Sequence, residues 1–276
     1  MSMTRVSLAA AALAVAACLT TPADAADLYR GSIKDGPMPT PVRSAGNCYF
    51  RADTGYSWTQ APDVRWTVTD GDPVSPTFGQ FLTDRVTNVA VDDTWLVEAG
   101  IGCGSGPRGI RGEFVYGFHG KRNIDGEPGP WNPGTPPTAD PLHTAVTTHT
   151  LMFNGYYDLG NFSGFVPYVG AGVGFAFNKV DEVYFTGNPF LTNRIFGDER
   201  WSLAWSLMAG VGYQITDRIT LDVGYRYLDM GKAESGTIDN AGFTNPKVRI
   251  DELAAHEVKV GLRFAFGGGD ALMPMK

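Results

Sequence analysis

The stretch ELAAHEVKVGLRFAF, residues 252–266, alternates in a way that decides the fold class. From His256 onward its even positions are His256, Val258, Val260, Leu262, Phe264 and Phe266, and the odd ones between them are Glu257, Lys259, Gly261, Arg263 and Ala265. Successive side chains of a strand point to opposite faces, so one face is mostly apolar and the other charged or small. Residues 219–229 repeat the pattern: Ile219, Leu221, Val223, Tyr225 and Tyr227 oppose Thr220, Asp222, Gly224 and Arg226. Residues 201–215 repeat it again, with Trp201, Leu203, Trp205, Leu207, Ala209, Val211 and Tyr213 opposing Ser202, Ala204, Ser206, Gly210, Gly212 and Gln214. Such runs exceed the roughly 5–6 residues of soluble strands. They suit a tilted strand crossing a bilayer, which takes about 9–11 residues.

Aromatic placement separates a barrel in lipid from a soluble sandwich. Trp201, Trp205, Tyr225 and Tyr227 gather at one end of their strands, and Tyr213, Phe264 and Phe266 at the other. Two aromatic girdles flanking an apolar band are the signature of a transmembrane barrel. Five further segments fit the alternation, at 47–58, 94–103, 108–118, 144–157 and 165–177. The gaps between the segments alternate long (59–93, 119–143, 178–200, 230–251) and short (104–107, 158–164, 216–218). Long extracellular loops and short periplasmic turns require this segregation. The expected fold is therefore all-β, an eight-stranded antiparallel transmembrane up-and-down barrel over residues 47–266. Loop 119–143, with Pro128, Pro130, Pro133, Pro136, Pro137 and Pro141, reads as exposed and semi-stiff rather than as part of a core.

The flanks read as export and tail segments. Arg5, an apolar run from Val6 to Ala17 and Ala23-Asp24-Ala25 make residues 1–25 a signal peptide cleaved after Ala25. Val15-Ala16-Ala17-Cys18 loosely resembles a lipobox, the competing reading, which would place a lipid on Cys18. Residues 26–46, with Pro37, Pro39 and Pro41, are expected to form an extended periplasmic tail, and 267–276 a short C-terminal tail. The chain carries 22 Lys and Arg against 29 Asp and Glu, a formal net charge of −7. That balance argues against nucleic-acid binding. A mean hydropathy of −0.12 argues against a helical membrane protein.

By parity the lumen receives Arg51, Asp53, Glu98, Arg111, Glu113, Asp222, Arg226, Glu257, Lys259 and Arg263, five acids and five bases. These residues form either the filter of an ion-selective pore or a salt-bridged plug; the narrow interior of an eight-stranded barrel favours the plug. Cys48 opens the first strand and Cys103 closes the second. Antiparallel pairing of the two also sets Phe50 opposite Ile101 and Tyr56 opposite Trp95, all outward. A Cys48–Cys103 disulfide is expected in an oxidising compartment. The four histidines, His119, His143, His149 and His256, lack metal-ligand spacing, and Gly170-Ala171-Gly172-Val173-Gly174 lies inside a strand with no helix after it. No enzyme activity, cofactor or metal site is expected.

Ala26-Asp27-Leu28-Tyr29, Lys34-Asp35-Gly36-Pro37, Tyr168–Gly174 and Glu257–Phe266 together resemble the small outer-membrane barrels of rhizobia and brucellae, in the opacity-type porin superfamily. The resemblance implies an eight-stranded barrel in the outer membrane that serves envelope integrity and surface contact. The leading expectation is an envelope-stabilising surface barrel among outer-membrane lipid and lipopolysaccharide, with its long loops free for host or surface ligands. The alternatives are a small diffusion channel, or a receptor for haem or a host molecule. Some relatives bind haem, which would make His119 and His143 the first ligands to test. The oligomeric state stays open.

Overall fold

The computed structural model describes residues 47–70, 73–74, 76–105, 108–128, 141–186, 195–216, 218–237 and 243–266. The signal segment, Cys18, both tails and most of the prolines of loop 119–143 lie outside the described residues. Among the described residues thirteen strands follow in chain order: β1 (Asn47–Thr59), β2 (Asp63–Asp70), β3 (Phe81–Val91), β4 (Thr94–Gly104), β5 (Gly109–Pro128), β6 (Leu142–Asp158), β7 (Phe165–Val180), β8 (Tyr184–Phe185), β9 (Asp198–Gln214), β10 (Ile219–Asp229), β11 (Ala233–Glu234), β12 (Phe243–Asp251) and β13 (Ala254–Phe266).

Antiparallel pairing runs β5–β4–β1–β13–β10–β9–β7–β6 and returns from β6 to β5, which closes an eight-stranded barrel. Closure matters because lipid offers no partner for a free strand edge. Each membrane strand turns its apolar side outward: Ile101, Phe114, Phe153, Val173, Leu207, Val223 and Val260 are all exposed. At the periplasmic end Phe50 stacks on Phe266, with ring centroids 4.3 Å apart, and Phe165 lies 4.7 Å from Tyr213. At the extracellular end Tyr56 packs on Trp58, Trp95 on Phe118, Phe177 on Trp201 and Trp205 on Tyr227. Cys48 pairs with Cys103 in the β1–β4 ladder and the two form a disulfide, with Cα atoms 4.0 Å apart.

The long connections differ from expectation. The span 59–93 contains β2 and β3, and 230–251 contains β11 and β12. β5 runs ten residues past the expected end at 118, to Pro128. A bulge in β5 between His119 and Arg122 is the physical reason. One extra residue inverts the alternation. His119 and Arg122 both face inward and are fully buried, whereas a strict period of 2 would put them on opposite faces. Above the bulge β5 exchanges β4 for β3 as its neighbour, and β3–β2–β12–β11 carry the wall onward.

The upper wall encloses an apolar core. Val64, Trp66, Val86, Ile124, Leu142, Val146, Val180, Ile195, Leu228, Met230, Val248, Ile250 and Leu253 are buried in one cluster that reaches down to Met152, Ala176 and Ala204 in the barrel strands. Outward and inward positions at mid-membrane should thus respond differently to charge. Leu207→Arg is expected to destabilise the folded barrel by about 2–4 kcal/mol in urea titrations from lipid vesicles. A cost below 1 kcal/mol would show that Leu207 does not face lipid.

Candidate functional site: a charged lumen beneath an apolar tier

Inward side chains of β1, β4, β5, β6, β10 and β13 meet in ion-paired clusters, to which β7 adds Tyr168. On β1, Arg51 grips Asp53 through Nε and Nη2, both at 2.7 Å, and its Nη1 donates to Glu113 on β5. The Tyr49 hydroxyl donates to the other Glu113 oxygen at 2.5 Å, and Arg111 donates to that same oxygen at 2.6 Å. Arg111 also reaches Asp158 at 3.0 Å, and its guanidinium lies over the Tyr156 and Tyr168 rings, 4.0 and 4.6 Å from their centroids. The Tyr168 hydroxyl donates to Asp222 at 2.6 Å, and Arg263 stands 2.7 Å from the second Asp222 oxygen. Glycines make room for these large groups. A Cβ on Gly170 would meet the Tyr156 ring, and one on Gly210 or Gly224 the Tyr168 hydroxyl.

One level higher, Arg226 bridges two carboxylates. Its Nε donates to Glu257 at 2.6 Å, and its Nη2 lies 2.5 Å from Glu98. Lys259 donates to the second Glu98 oxygen at 2.6 Å, and His119 Nε2 lies 2.9 Å from the second Glu257 oxygen. Arg122 closes this level, with Nη2 3.5 Å from Ser57 and Nη1 3.5 Å from the Met230 sulfur. Immediately above it stands the apolar tier.

All ten residues assigned to the lumen by parity lie inside the barrel; nine are buried, and Arg263 nearly so with 12% side-chain exposure. Sequence reasoning missed Tyr49, Tyr156, Tyr168, Asp158, His119, Ser57 and Arg122. Parity alone would have found the tyrosines, had uncharged positions been considered; the bulge hid Arg122. The two histidines suggested as haem ligands are not brought together. His119 is buried in the lumen, while His143 faces outward, 2.5 Å from Asp125 and 3.2 Å from Thr186. In the β5–β6 ladder His119 pairs with Thr148 and Asp125 with His143, so five residues and a change of face separate them. His256 lies outward at the girdle between the Tyr225 hydroxyl (2.5 Å) and Gln60 (2.6 Å). Among the described residues no group of three or more His, Cys, Asp or Glu side chains could hold a metal ion.

A closed antiparallel wall, an apolar belt with two aromatic girdles and a lumen of paired charges define a small outer-membrane β-barrel. Residues 42–266 match the family described as outer membrane protein beta-barrel domain, and the chain belongs to it. An uncharacterised Brucella suis protein is 28% identical over 279 residues, covering 88% of this chain and 93% of its own. The outer membrane protein PagN of Salmonella typhimurium is 33% identical over 132 residues, 46% of this chain and 55% of its own. A putative adhesin of Rickettsia bellii is 31% identical over 117 residues, 41% and 51% of the two chains. Among solved structures, OprG of Pseudomonas aeruginosa is similar at a TM-score of 0.48 and 16% identity, covering 82% of this chain and 99% of that one. The protein resides in the cell outer membrane.

Removing one partner of a buried ion pair strands the other, at a cost of about 3–5 kcal/mol. Arg226→Ala should lower stability by that amount in urea titrations, because it leaves Glu98 with Lys259, and Glu257 with His119 and the Ser57 hydroxyl, as their remaining partners. Combining Arg226→Met with Glu257→Gln, which leaves Glu98 paired with Lys259, should recover much of the loss. Equal losses in both variants would mean that Arg226 matters by volume rather than by charge.

Proposed function

We propose that this protein is a closed, non-catalytic barrel that stabilises the envelope and presents its extracellular wall to surface ligands. The observation that carries this reading is the filling of the barrel interior in two tiers. A diffusion channel needs a continuous polar path for water and ions. Here most acids and bases of the charged tier are bound to one another, and the described residues of the tier above it are mainly Val, Ile, Leu and Met, with no buried carboxylate among them. An ion crossing that tier would shed its hydration for hydrocarbon, which is expensive. The lumen charges act in this reading as a filling that keeps a narrow barrel rigid, since inward charges are stable where they pair.

The extracellular half supports the interaction role. Connections that a minimal barrel would leave as loops are ordered strands here, with their own apolar core and a charged outer face. The names of two relatives, an outer membrane protein and a putative adhesin, agree with a surface role over the shared 41–46% of the chain.

The test is planar-bilayer conductance of the folded protein, with heat-modifiable gel mobility to show that the barrel is closed. The expected result is electrical silence. Steady single-channel steps that change when Arg226 or Glu257 is neutralised would replace this reading with that of a small, charge-selective channel.

A further inference from the structure

Three arginines stand in one row on the outer face of the extracellular wall. In the β12–β2 ladder Arg249 lies directly opposite Arg65, and in the β2–β3 ladder Arg65 lies directly opposite Arg85. Directly opposed residues of antiparallel strands project from the same face, about 4.8 Å apart per strand. That face is the outer one, because the alternating positions Val64, Trp66, Val86, Val248 and Ile250 are buried in the interior core. The side chains are 50%, 71% and 48% exposed for Arg65, Arg85 and Arg249. Like charges set directly opposite one another are unfavourable within a sheet, so the row is poorly explained as a device for folding.

The nearby carboxylates offset the row only in part. Asp63 takes Arg65 at 2.9 Å and Arg85 at 3.0 Å, and this pairing, the Arg65 hydrogen bond first, holds its carboxyl below the usual carboxylate range. Glu234 takes Arg249 at 3.2 Å and Arg200 at 2.6 Å, and Asp251 takes Lys232 at 2.9 Å. With Lys247 two positions along β12, Glu252 beyond its end and Glu127 opposite Thr87 on β5, the described residues of this face mix cations with carboxylates, and the row is set apart by the direct opposition of its arginines.

The height of the row identifies what meets it. Arg65 lies seven residues beyond Trp58 and Arg249 seven before His256, and both Trp58 and His256 belong to the extracellular girdle. At about 3.3 Å per residue the row stands at most roughly 23 Å above the level of the lipid headgroups. It faces sideways, away from the barrel axis, over the surrounding leaflet. We infer that Arg65, Arg85 and Arg249 form a docking row for the phosphorylated and carboxylated inner-core sugars of lipopolysaccharide in the protein's own membrane. Guanidinium forks suit such anions because each can give two parallel hydrogen bonds. The inference rests on the surface-barrel reading and names one partner of that surface.

The test titrates the folded full chain in detergent micelles with three probes: lipopolysaccharide bearing a phosphorylated inner core, lipid A alone, and heparin. Core-bearing lipopolysaccharide should bind about tenfold more tightly than lipid A. The combined R65Q, R85Q and R249Q variant should erase that difference, and the matching triple lysine variant should retain part of it. Equal binding of lipid A and core-bearing lipopolysaccharide by the unmodified chain would overturn the inference, as would a glutamine variant that binds unchanged. Heparin binding that depends on the row, with no preference for the core, would also overturn it and assign the row to an external sulfated glycan. Heat-modifiable mobility monitors folding. If the triple variant fails to close, R85Q alone, at the most exposed position, should still weaken core binding measurably, and no effect there would count against the row. Conductance is recorded on the same preparations; a current would sink the closed-barrel reading while leaving the core preference to be judged on its own.

Discussion

Arg226, held between Glu98 and Glu257 with no exposed surface, shows the constraint on which the rest of the structure depends. In a bilayer the outward positions are mainly apolar, so charged side chains are forced inward. An eight-stranded barrel is too narrow to hydrate them freely. Each inward charge therefore needs a protein partner, and strands far apart in sequence must supply it. The Arg226 level joins β4, β5, β10 and β13. The level below joins β1, β5, β6, β7, β10 and β13 through Arg51, Arg111, Tyr168, Asp222 and Arg263. Closure and charge pairing thus enforce one another.

The same constraint explains the glycines. Large inward groups such as Tyr156 and Tyr168 fit only where facing strands have no side chain, and Gly170, Gly210 and Gly224 supply that space. The alternation of large with absent side chains lets guanidinium groups stack on phenol rings rather than seek water. Above the bilayer the constraint relaxes. There the interior fills with Val, Ile, Leu and Met, while the outer face, now wet, takes arginine and lysine. The β5 bulge sits where the two regimes meet. It turns Arg122 inward to cap the charged level, and past it β5 takes β3 in place of β4 as its partner.

The functional reading follows from these two fillings more than from any single residue. In the proposed reading, a lumen of largely paired charges beneath an apolar tier keeps the barrel shut, which moves attention to the outer wall. There the arrangement reverses the economy of the interior, with like charges placed side by side and left half exposed.

Much of the barrel was legible in the chain because alternation, girdle aromatics and the segregation of loop lengths are local properties imposed by lipid. A residue's parity is enough to say whether it meets hydrocarbon, and the ten lumen charges and the cysteine pairing across the first membrane hairpin were read that way. What lay beyond the bilayer was not legible. Outside lipid no single period is imposed, one extra residue near Gly120 inverts parity, and residues 59–93 and 230–251 look like loops until they find each other as β2, β3, β11 and β12. Arg65, Arg85 and Arg249 carry no pattern in the chain. Only the register between β12, β2 and β3 sets them side by side, because strand partners are chosen by closure of the whole wall and not by their neighbours in sequence.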